Sequence, residues 1–168
     1  NREELREKIE KTSDTVADLV KFSKHLSREM RPELLENSGL QSAVEWQLEQ
    51  FQQRTDIVYE LNAGGRNFSL STEMALSAFR IFQEALTNIA RHSHTERIRI
   101  DLGESDNTFR MRIRDFGRGF SASSENEVHY GIMGMRERVL QWDGNVAVEN
   151  VPEGGTVVTV TIPLENRS

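Results

Sequence analysis

Three stretches in the second half of the chain alternate between apolar and polar residues, and this pattern restricts the fold more than any other feature. They cover residues 96–102, 109–115 and 156–163. Successive side chains of a β-strand point to opposite faces of the sheet, so the alternation predicts strands with one buried face and one wet face. The predicted inward residues are Ile98, Ile100, Leu102, Phe109, Met111, Ile113, Val158, Val160 and Ile162.

Two weaker strands, at residues 57–61 and 145–149, complete a predicted sheet of about five strands. Strands of a buried parallel sheet are apolar on both faces, which these are not. We therefore predict an α+β fold, a two-layer sandwich in which a mainly antiparallel mixed sheet carries helices on one face. Turns are predicted at Asp106-Asn107 and at Glu153-Gly154-Gly155. The predicted helices cover residues Leu40 to Gln53, Thr72 to His92 and Gly134 to Trp142.

The first 31 residues contain no Gly or Pro and predict one long helix that ends at Arg31-Pro32. Its inward positions are spaced alternately by four and three residues, which is typical of a helix that packs against another helix. They are Leu5, Ile9, Thr12, Val16, Leu19, Ser23, Leu26 and Met30. A helix of about eight turns is longer than a small domain, so we expect its partner outside this chain. The alternative is that this helix packs as a single helix on the domain that follows. We place the boundary between the helix and that domain near residue 36.

Composition excludes several classes of protein. With 21 Lys and Arg against 27 Asp and Glu, the net charge is −6, which argues against a basic nucleic-acid binder. The absence of Cys excludes disulfides and thiolate metal sites. No apolar run approaches the roughly 20 residues that span a bilayer, so we expect no membrane contact from this segment. The chain begins with Asn rather than Met, and we expect it to be a segment of a longer protein.

The predicted helix after Thr72 carries a polar stripe beside its apolar face. Glu84, Asn88 and His92 are spaced by four residues, so each is turned only about 40° from the last. A carboxylate and an amide at the edge of a core can line a groove. Taken alone, this helix favours the interpretation of the three as ordinary surface residues, and the evidence for a site comes from other segments.

Two glycine-containing segments add to this stripe. Asp115, at the end of a predicted strand, is followed by Gly117 and Gly119, so its carboxylate could accept a hydrogen bond from a ligand. Gly131 and Gly134 lie at the N-terminus of the third predicted helix, whose free N–H groups would favour phosphate. Residues 120–128 lie between the two segments and predict a mobile lid.

Four motifs in this order resemble the boxes of the GHKL ATPase superfamily. The linker from Ser27 onward, S-R-E-M-R-P, together with the third box, is similar to histidine kinases of the nitrate-sensor and desaturase-thermosensor subgroup. The motifs are E-x-x-x-N-x-x-R-H (84–92), D-x-G-x-G (115–119), G-x-x-G-M-R-E-R (131–138) and G-G-T (154–156). The resemblance implies that residues 1–36 are the second helix of a dimerisation and histidine-phosphotransfer domain, and that residues 37–165 are a catalytic ATP-binding domain of the Bergerat type.

The resemblance also implies roles for the residues in and around these boxes. Asn88 would be the ligand of Mg²⁺, and Glu84 would be the general base or would hold a metal-bound water. Arg91 and His92 would contact phosphate oxygens. Asp115 would accept from the adenine amino group of ATP or ADP.

Further residues of the same boxes would complete the nucleotide site. Gly117 and Gly119 would allow the predicted lid to open. Gly131, Gly134 and Met135 would close over the phosphates. Thr156 would assist at the adenine.

The same resemblance implies a sensor kinase that passes the γ-phosphate of ATP to a histidine and then to an aspartate of a response-regulator receiver domain. The parent would form a homodimer through the N-terminal helix and carry this segment in the cytoplasm, whether it is membrane-anchored or soluble. The family's R-E-L-H-D type of phosphoacceptor segment has no counterpart here. We interpret His25, which no acid follows, as solvated, and His94 and His129 as loop residues.

Two other functions are compatible with the boxes. The first is a protein-serine kinase of the anti-sigma-factor type, against which the long heptad helix argues. The second is a non-catalytic module that binds nucleotide to set the geometry of a dimer.

Overall fold

The computed structural model describes residues 32–64, 67–119 and 125–164. For residues 32–34 and 125–130 it describes the backbone alone. The chain divides between Glu33 and Leu34 into two units, and the second unit is described below. The helix predicted before Pro32 therefore lies outside the described residues. The assignment of residues 1–36 and 37–165 to two domains stays a prediction.

Five strands form one mixed sheet in the order β1-β2-β3-β5-β4. β1 runs parallel to β2, and the other neighbouring strands are antiparallel. This confirms the predicted sheet. The strands are β1 (Val58–Ala63), β2 (Arg97–Ser105), β3 (Thr108–Asp115), β4 (Asn145–Asn150) and β5 (Thr156–Pro163).

The described residues form three α-helices beside the sheet: α1 (Pro32–Thr55), α2 (Thr72–Asn88) and α3 (Glu125–Leu140). The last turn of α2 widens into a π-helical turn, Ile89–Ser93. The apolar residues of α1 and α2 join the inward residues of the sheet in one core, so the α+β sandwich is confirmed. No helix among the described residues combines the length and apolar character that crossing a bilayer requires.

The period-two pattern identifies the buried face of the sheet correctly. Every predicted inward residue of β2, β3 and β5 is buried. Val157, predicted to face water, is also buried, at 4% exposed. Its cross-strand neighbours are Arg114 and Glu149, and long side chains of this kind can cover a small apolar residue between them.

Helix α2 begins where its sequence favours a helix start. The Ser71 hydroxyl accepts a hydrogen bond from the Met74 N–H at 3.2 Å, and Glu73 places negative charge in the first turn. Its apolar face is buried against the core. The buried residues are Met74, Ala78, Phe79, Ile81, Phe82, Ala85 and Leu86.

Helix α3 differs from its prediction. It begins at Glu125 rather than Gly134, so Gly131 and Gly134 lie inside the helix and not at its N-terminus. The predicted lid over residues 120–128 is therefore wrong for residues 125–128, which are helical, and residues 120–124 lie outside the described residues. Residues 125–130 contain neither Gly nor Pro, so nothing in them stops a helix, while a helical Gly costs only about 1 kcal/mol.

Positive φ angles mark a predicted turn and a kink. The loop between β2 and β3 consists of Asp106 and Asn107, whose φ angles of 50° and 56° are those of a two-residue hairpin turn. Gly39 interrupts α1 with φ 77° and ψ 173°. That combination is essentially restricted to glycine.

The Gly39→Ala substitution should therefore lower the free energy of unfolding by about 1–3 kcal/mol, since Ala at this backbone conformation is strained. Urea unfolding followed by circular dichroism measures the change. Gly103→Ala is the matched control because a Cβ at Gly103 meets nothing within 4 Å. Equal stability of the two variants would contradict the strain at Gly39.

Candidate functional site

A cleft opens between the C-terminal half of α2, helix α3 and the adjoining end of the sheet. It has a volume of about 530 Å³, including its mouth. Its walls are mainly apolar, with a few polar groups between them, which is the usual character of a small-molecule site. The predicted site residues that line it are Asn88, His92, Asp115, Gly119, Met135 and Thr156.

Asp115 is the most constrained polar residue of the cleft. It occupies the last inward position of β3, after Phe109, Met111 and Ile113, and is only 3% exposed. Its Oδ1 accepts from the Gly117 N–H at 2.9 Å, and its Oδ2 accepts from the Thr156 N–H at 3.1 Å. Each carboxylate oxygen can accept a further hydrogen bond, so Asp115 can still receive one from a ligand.

Gly117 allows two backbone segments to approach each other closely. A Cβ at this position would lie 1.9 Å from the Ser93 carbonyl oxygen, and the neighbouring Arg118 N–H donates to that same oxygen at 3.1 Å. Glycine is therefore required at position 117 because the two backbone segments pack too closely for a side chain. The predicted part of Gly117 and Gly119 in opening a lid stays a prediction.

Gly131 brings the backbone of α3 against the polar stripe of α2. A Cβ on Gly131 would lie 3.1 Å from Glu84 Oε1 and 3.6 Å from Asn88 Nδ2. Glu84 and Asn88 are both half-buried and lie one helical turn apart. The first and third sequence motifs thus meet at one place, although Gly131 does so from within a helix.

The remaining predicted residues lie at the border of the site or beyond it. Arg91 is exposed on the π-helical turn and does not line the cleft, whereas its neighbour His92 is half-buried and does. A Cβ at Gly134 would meet nothing within 4 Å, so this position has no close neighbour in the described structure. The predicted roles of these residues toward a ligand stay predictions.

Sequence reasoning missed most of the apolar lining and the buried Ser93. Inward apolar residues such as Ile113 and Val158 are predicted as core residues. Their sequence pattern is the same whether the side chain faces another side chain or a cavity. Helix and strand periodicity therefore offers no signal that separates the two. The missed residues are Ala85, Ile89, Ser93, Ile113, Ile132, Val148 and Val158.

The donor atoms near Asn88 suit a hard cation with few protein ligands. Within the described parts of the chain, no group of three or more His, Cys, Asp or Glu residues is arranged to hold a metal ion. An amide oxygen of Asn88 and the carboxylate of Glu84 are ligands that Mg²⁺ accepts, with water and phosphate oxygens completing its shell. The residues present therefore fit Mg²⁺ brought in with a phosphorylated ligand.

Comparison with known families gives one match over more than half of the chain. Residues 74–166 match the family described as "Histidine kinase-, DNA gyrase B-, and HSP90-like ATPase". The matched region contains all four sequence motifs and most of the cleft.

Curated relatives resemble the chain over most of its length. It is 30% identical over 165 residues to the sensor histidine kinase ComP of Bacillus subtilis (strain 168). The matched region covers 97% of this chain and 22% of ComP. It is 32% identical over 135 residues to the sensor histidine kinase LiaS of the same organism, covering 80% of this chain and 37% of LiaS. The chain thus spans well under half of these relatives.

Solved structures share the fold. A histidine kinase domain from the Erythrobacter litoralis EL346 blue-light activated histidine kinase has a TM-score of 0.67 at 19% identity and covers 83% of this chain and 74% of its own. The Acinetobacter baumannii histidine kinase AdeS has a TM-score of 0.64 at 16% identity and covers 91% of this chain and 84% of its own. At these identities the similarity concerns the fold alone.

The close approach at Gly117 generates a stability prediction. Gly117→Ala should lower the free energy of unfolding by about 2–3 kcal/mol, because its methyl group must displace the Ser93 carbonyl. Urea unfolding measures the loss, with Gly103→Ala again as control. A Gly117→Ala protein as stable as the control would show that the two segments do not pack as described.

Proposed function

Because the chain belongs to the family of histidine kinase-, DNA gyrase B- and HSP90-like ATPases, we propose that its cleft binds Mg²⁺-ATP for protein-histidine phosphorylation in a two-component sensor kinase. The observation that carries this proposal is that the buried Asp115 and the half-buried Asn88 line the same, mainly apolar cleft. Such a cleft suits a ligand with a flat, amino-bearing ring and a metal-bound anionic tail.

The adenine would lie against the apolar walls of the cleft. Its amino group would donate to Asp115, whose two backbone hydrogen bonds hold the carboxylate still. Thr156 supplies one of those bonds through its N–H, and as a residue that lines the cleft it would lie beside the ring as a further polar group. A fixed acceptor in a buried site favours an amino group over a carbonyl oxygen at the same position of the base.

The phosphates would lie toward α2 and α3. Asn88 would hold Mg²⁺, which would neutralise part of the phosphate charge. Arg91 and His92 would contact phosphate oxygens from the π-helical turn. Glu84, next to Asn88, would act as the base toward the attacking imidazole or orient a metal-bound water.

Helix α3 would bound the phosphate side of the site. Met135, which is 1% exposed, lines the cleft from this helix. Gly131 permits the helix backbone to lie against the Glu84 and Asn88 side chains. Gly134 would allow a close approach of the same backbone to the phosphates.

The group to be phosphorylated would come from elsewhere. We propose that residues 1–36 are the second helix of the dimerisation domain, that residues 37–165 are the catalytic domain, and that the acceptor histidine lies on a helix not contained in this sequence. The phosphate would then pass to an aspartate of a response regulator. This proposal rests on the family membership, the joined linker and the similarity to the sensor kinases ComP and LiaS.

Isothermal titration of the chain with ADP tests the site. We expect binding that requires Mg²⁺ and weakens at least about tenfold in Asp115→Asn, because a charge-assisted hydrogen bond to the base is lost. Thermal unfolding of the variant checks that it is folded. No binding by the wild type, or equal binding by Asp115→Asn, would contradict the proposed site.

Asn88→Ala tests the metal ligand separately. We expect the Mg²⁺-dependent part of ADP binding to disappear while the free energy of unfolding changes by no more than about 0.5 kcal/mol, since a half-buried polar residue contributes little to packing. Titrations with and without Mg²⁺ measure the first effect and urea unfolding the second. A large loss of stability would make Asn88 a structural residue instead.

Phosphate transfer distinguishes the kinase from its alternatives. The chain is mixed with a separate helix pair that carries an acceptor histidine, and transfer from labelled ATP is measured. We expect acid-labile, alkali-stable label, which is typical of phosphohistidine. Label on serine would favour a serine kinase, and binding of ADP without transfer would favour a nucleotide-binding scaffold.

A further inference from the structure

Thr95 joins three backbone groups just after the π-helical turn. It is 9% exposed, and its hydroxyl donates to the Arg97 carbonyl oxygen at 2.7 Å. The Thr95 hydroxyl oxygen also accepts from the Arg97 N–H at 3.3 Å and from the Phe116 N–H at 3.2 Å. One side chain thus connects the start of β2 with the residue that follows Asp115.

The contact to Phe116 bears on the direction of the Asp115 carboxylate. Oδ1 of Asp115 accepts from the N–H of Gly117, the next residue along the loop. The Arg118 N–H is in turn bound to the Ser93 carbonyl oxygen at 3.1 Å. The backbone of residues 116–118 is therefore held at two points by the segment that ends the π-helical turn.

The ring of Phe116 is held as well. The guanidinium carbons of Arg97 and Arg114 lie 4.3 Å and 4.5 Å from the ring centroid, within the range of cation–π contacts. Arg97 is also the residue whose backbone is bound twice by Thr95. The segment of Thr95 and Arg97 thus contacts both the backbone and the ring of Phe116, and Arg114 of β3 adds a second contact to the ring.

We infer that Thr95, together with the ring of Phe116 that the two arginines hold, is a positioning residue that sets the Asp115 carboxylate for the base of the nucleotide. The inference rests on the proposed function, in which Asp115 binds the base. The π-helical turn that carries His92 ends two residues before Thr95, so Thr95 follows directly on a segment that lines the cleft. Loss of the Thr95 hydroxyl should therefore weaken selection of the base and not only stability.

Thr95→Val tests the inference, since it keeps the shape of the side chain and removes the hydroxyl. We expect ADP to bind about fivefold more weakly, the effect of one net hydrogen bond, and the preference for ADP over GDP to fall by a similar factor. Thr95→Ser keeps the hydroxyl and should restore both. Isothermal titrations with each nucleotide in Mg²⁺ at low temperature measure the dissociation constants of the folded protein.

Thr55→Val is the matched control. The Thr55 hydroxyl also donates to a carbonyl oxygen, that of Phe51 at 2.8 Å, and accepts from a backbone N–H two residues on, that of Ile57 at 3.3 Å. It lies at the end of α1 and does not line the cleft. We expect Thr55→Val to lose stability without changing the ratio of ADP to GDP affinity.

An unchanged ratio in Thr95→Val, or the same fall in Thr55→Val, would overturn the inference. If Thr95→Val does not fold, Phe116→Leu removes the stacked ring and keeps the backbone N–H, and an unchanged ratio in that variant would overturn the inference as well. Failure of the wild type to bind ADP would instead overturn the proposed function, on which the inference rests.

Discussion

A carboxylate buried in an apolar interior is unfavourable unless hydrogen bonds replace its water, and the cleft is organised around this requirement at Asp115. The two N–H groups that meet it belong to the loop after β3 and to the start of β5. Both segments contain a glycine where a side chain would overlap backbone: a Cβ at Gly155 would lie 2.0 Å from the Asp115 carbonyl oxygen. The buried charge and the close backbone packing around it thus depend on each other, and together they fix one end of the cleft.

Helix α2 and the π-helical turn that follows it contribute a second set of lining residues to the cleft. Its apolar face joins the core, while Asn88 and His92 lie at the border of that face and reach the cleft. The helix ends in a π-helical turn, and such turns are frequent at functional sites because they change the direction in which side chains project. His94, with φ of 52°, then ends the helix in the left-handed conformation and leads into Thr95. The helix that stabilises the fold therefore also supplies polar side chains to the cleft.

Most of the fold could be predicted from the sequence because burial on one face imposes a period that the residues must follow. Alternation predicts β2, β3 and β5, and the Asp106-Asn107 turn predicts the hairpin between β2 and β3. It could not show that β1 is the parallel strand, since alternation is the same in both directions. The start of α3 was mispredicted because glycines weaken a helix without ending it. Thr95 was missed because its partner Phe116 lies 21 residues away, and a single hydroxyl at that separation leaves no periodic signal.

The charge of the chain sets a further condition on the proposed complex. With a net charge of −6 and Glu84 beside Asn88, a polyphosphate tail would enter a region that already carries a carboxylate. Two unit charges of like sign 4 Å apart repel by about 4 kcal/mol at the effective dielectric constant of a protein surface. Arg91 is exposed, so solvent screens much of its attraction. In the proposed site, Asn88 would hold Mg²⁺, and the charge of the cation would offset the repulsion between Glu84 and the phosphates. Mg²⁺ would therefore be required for binding as well as for transfer.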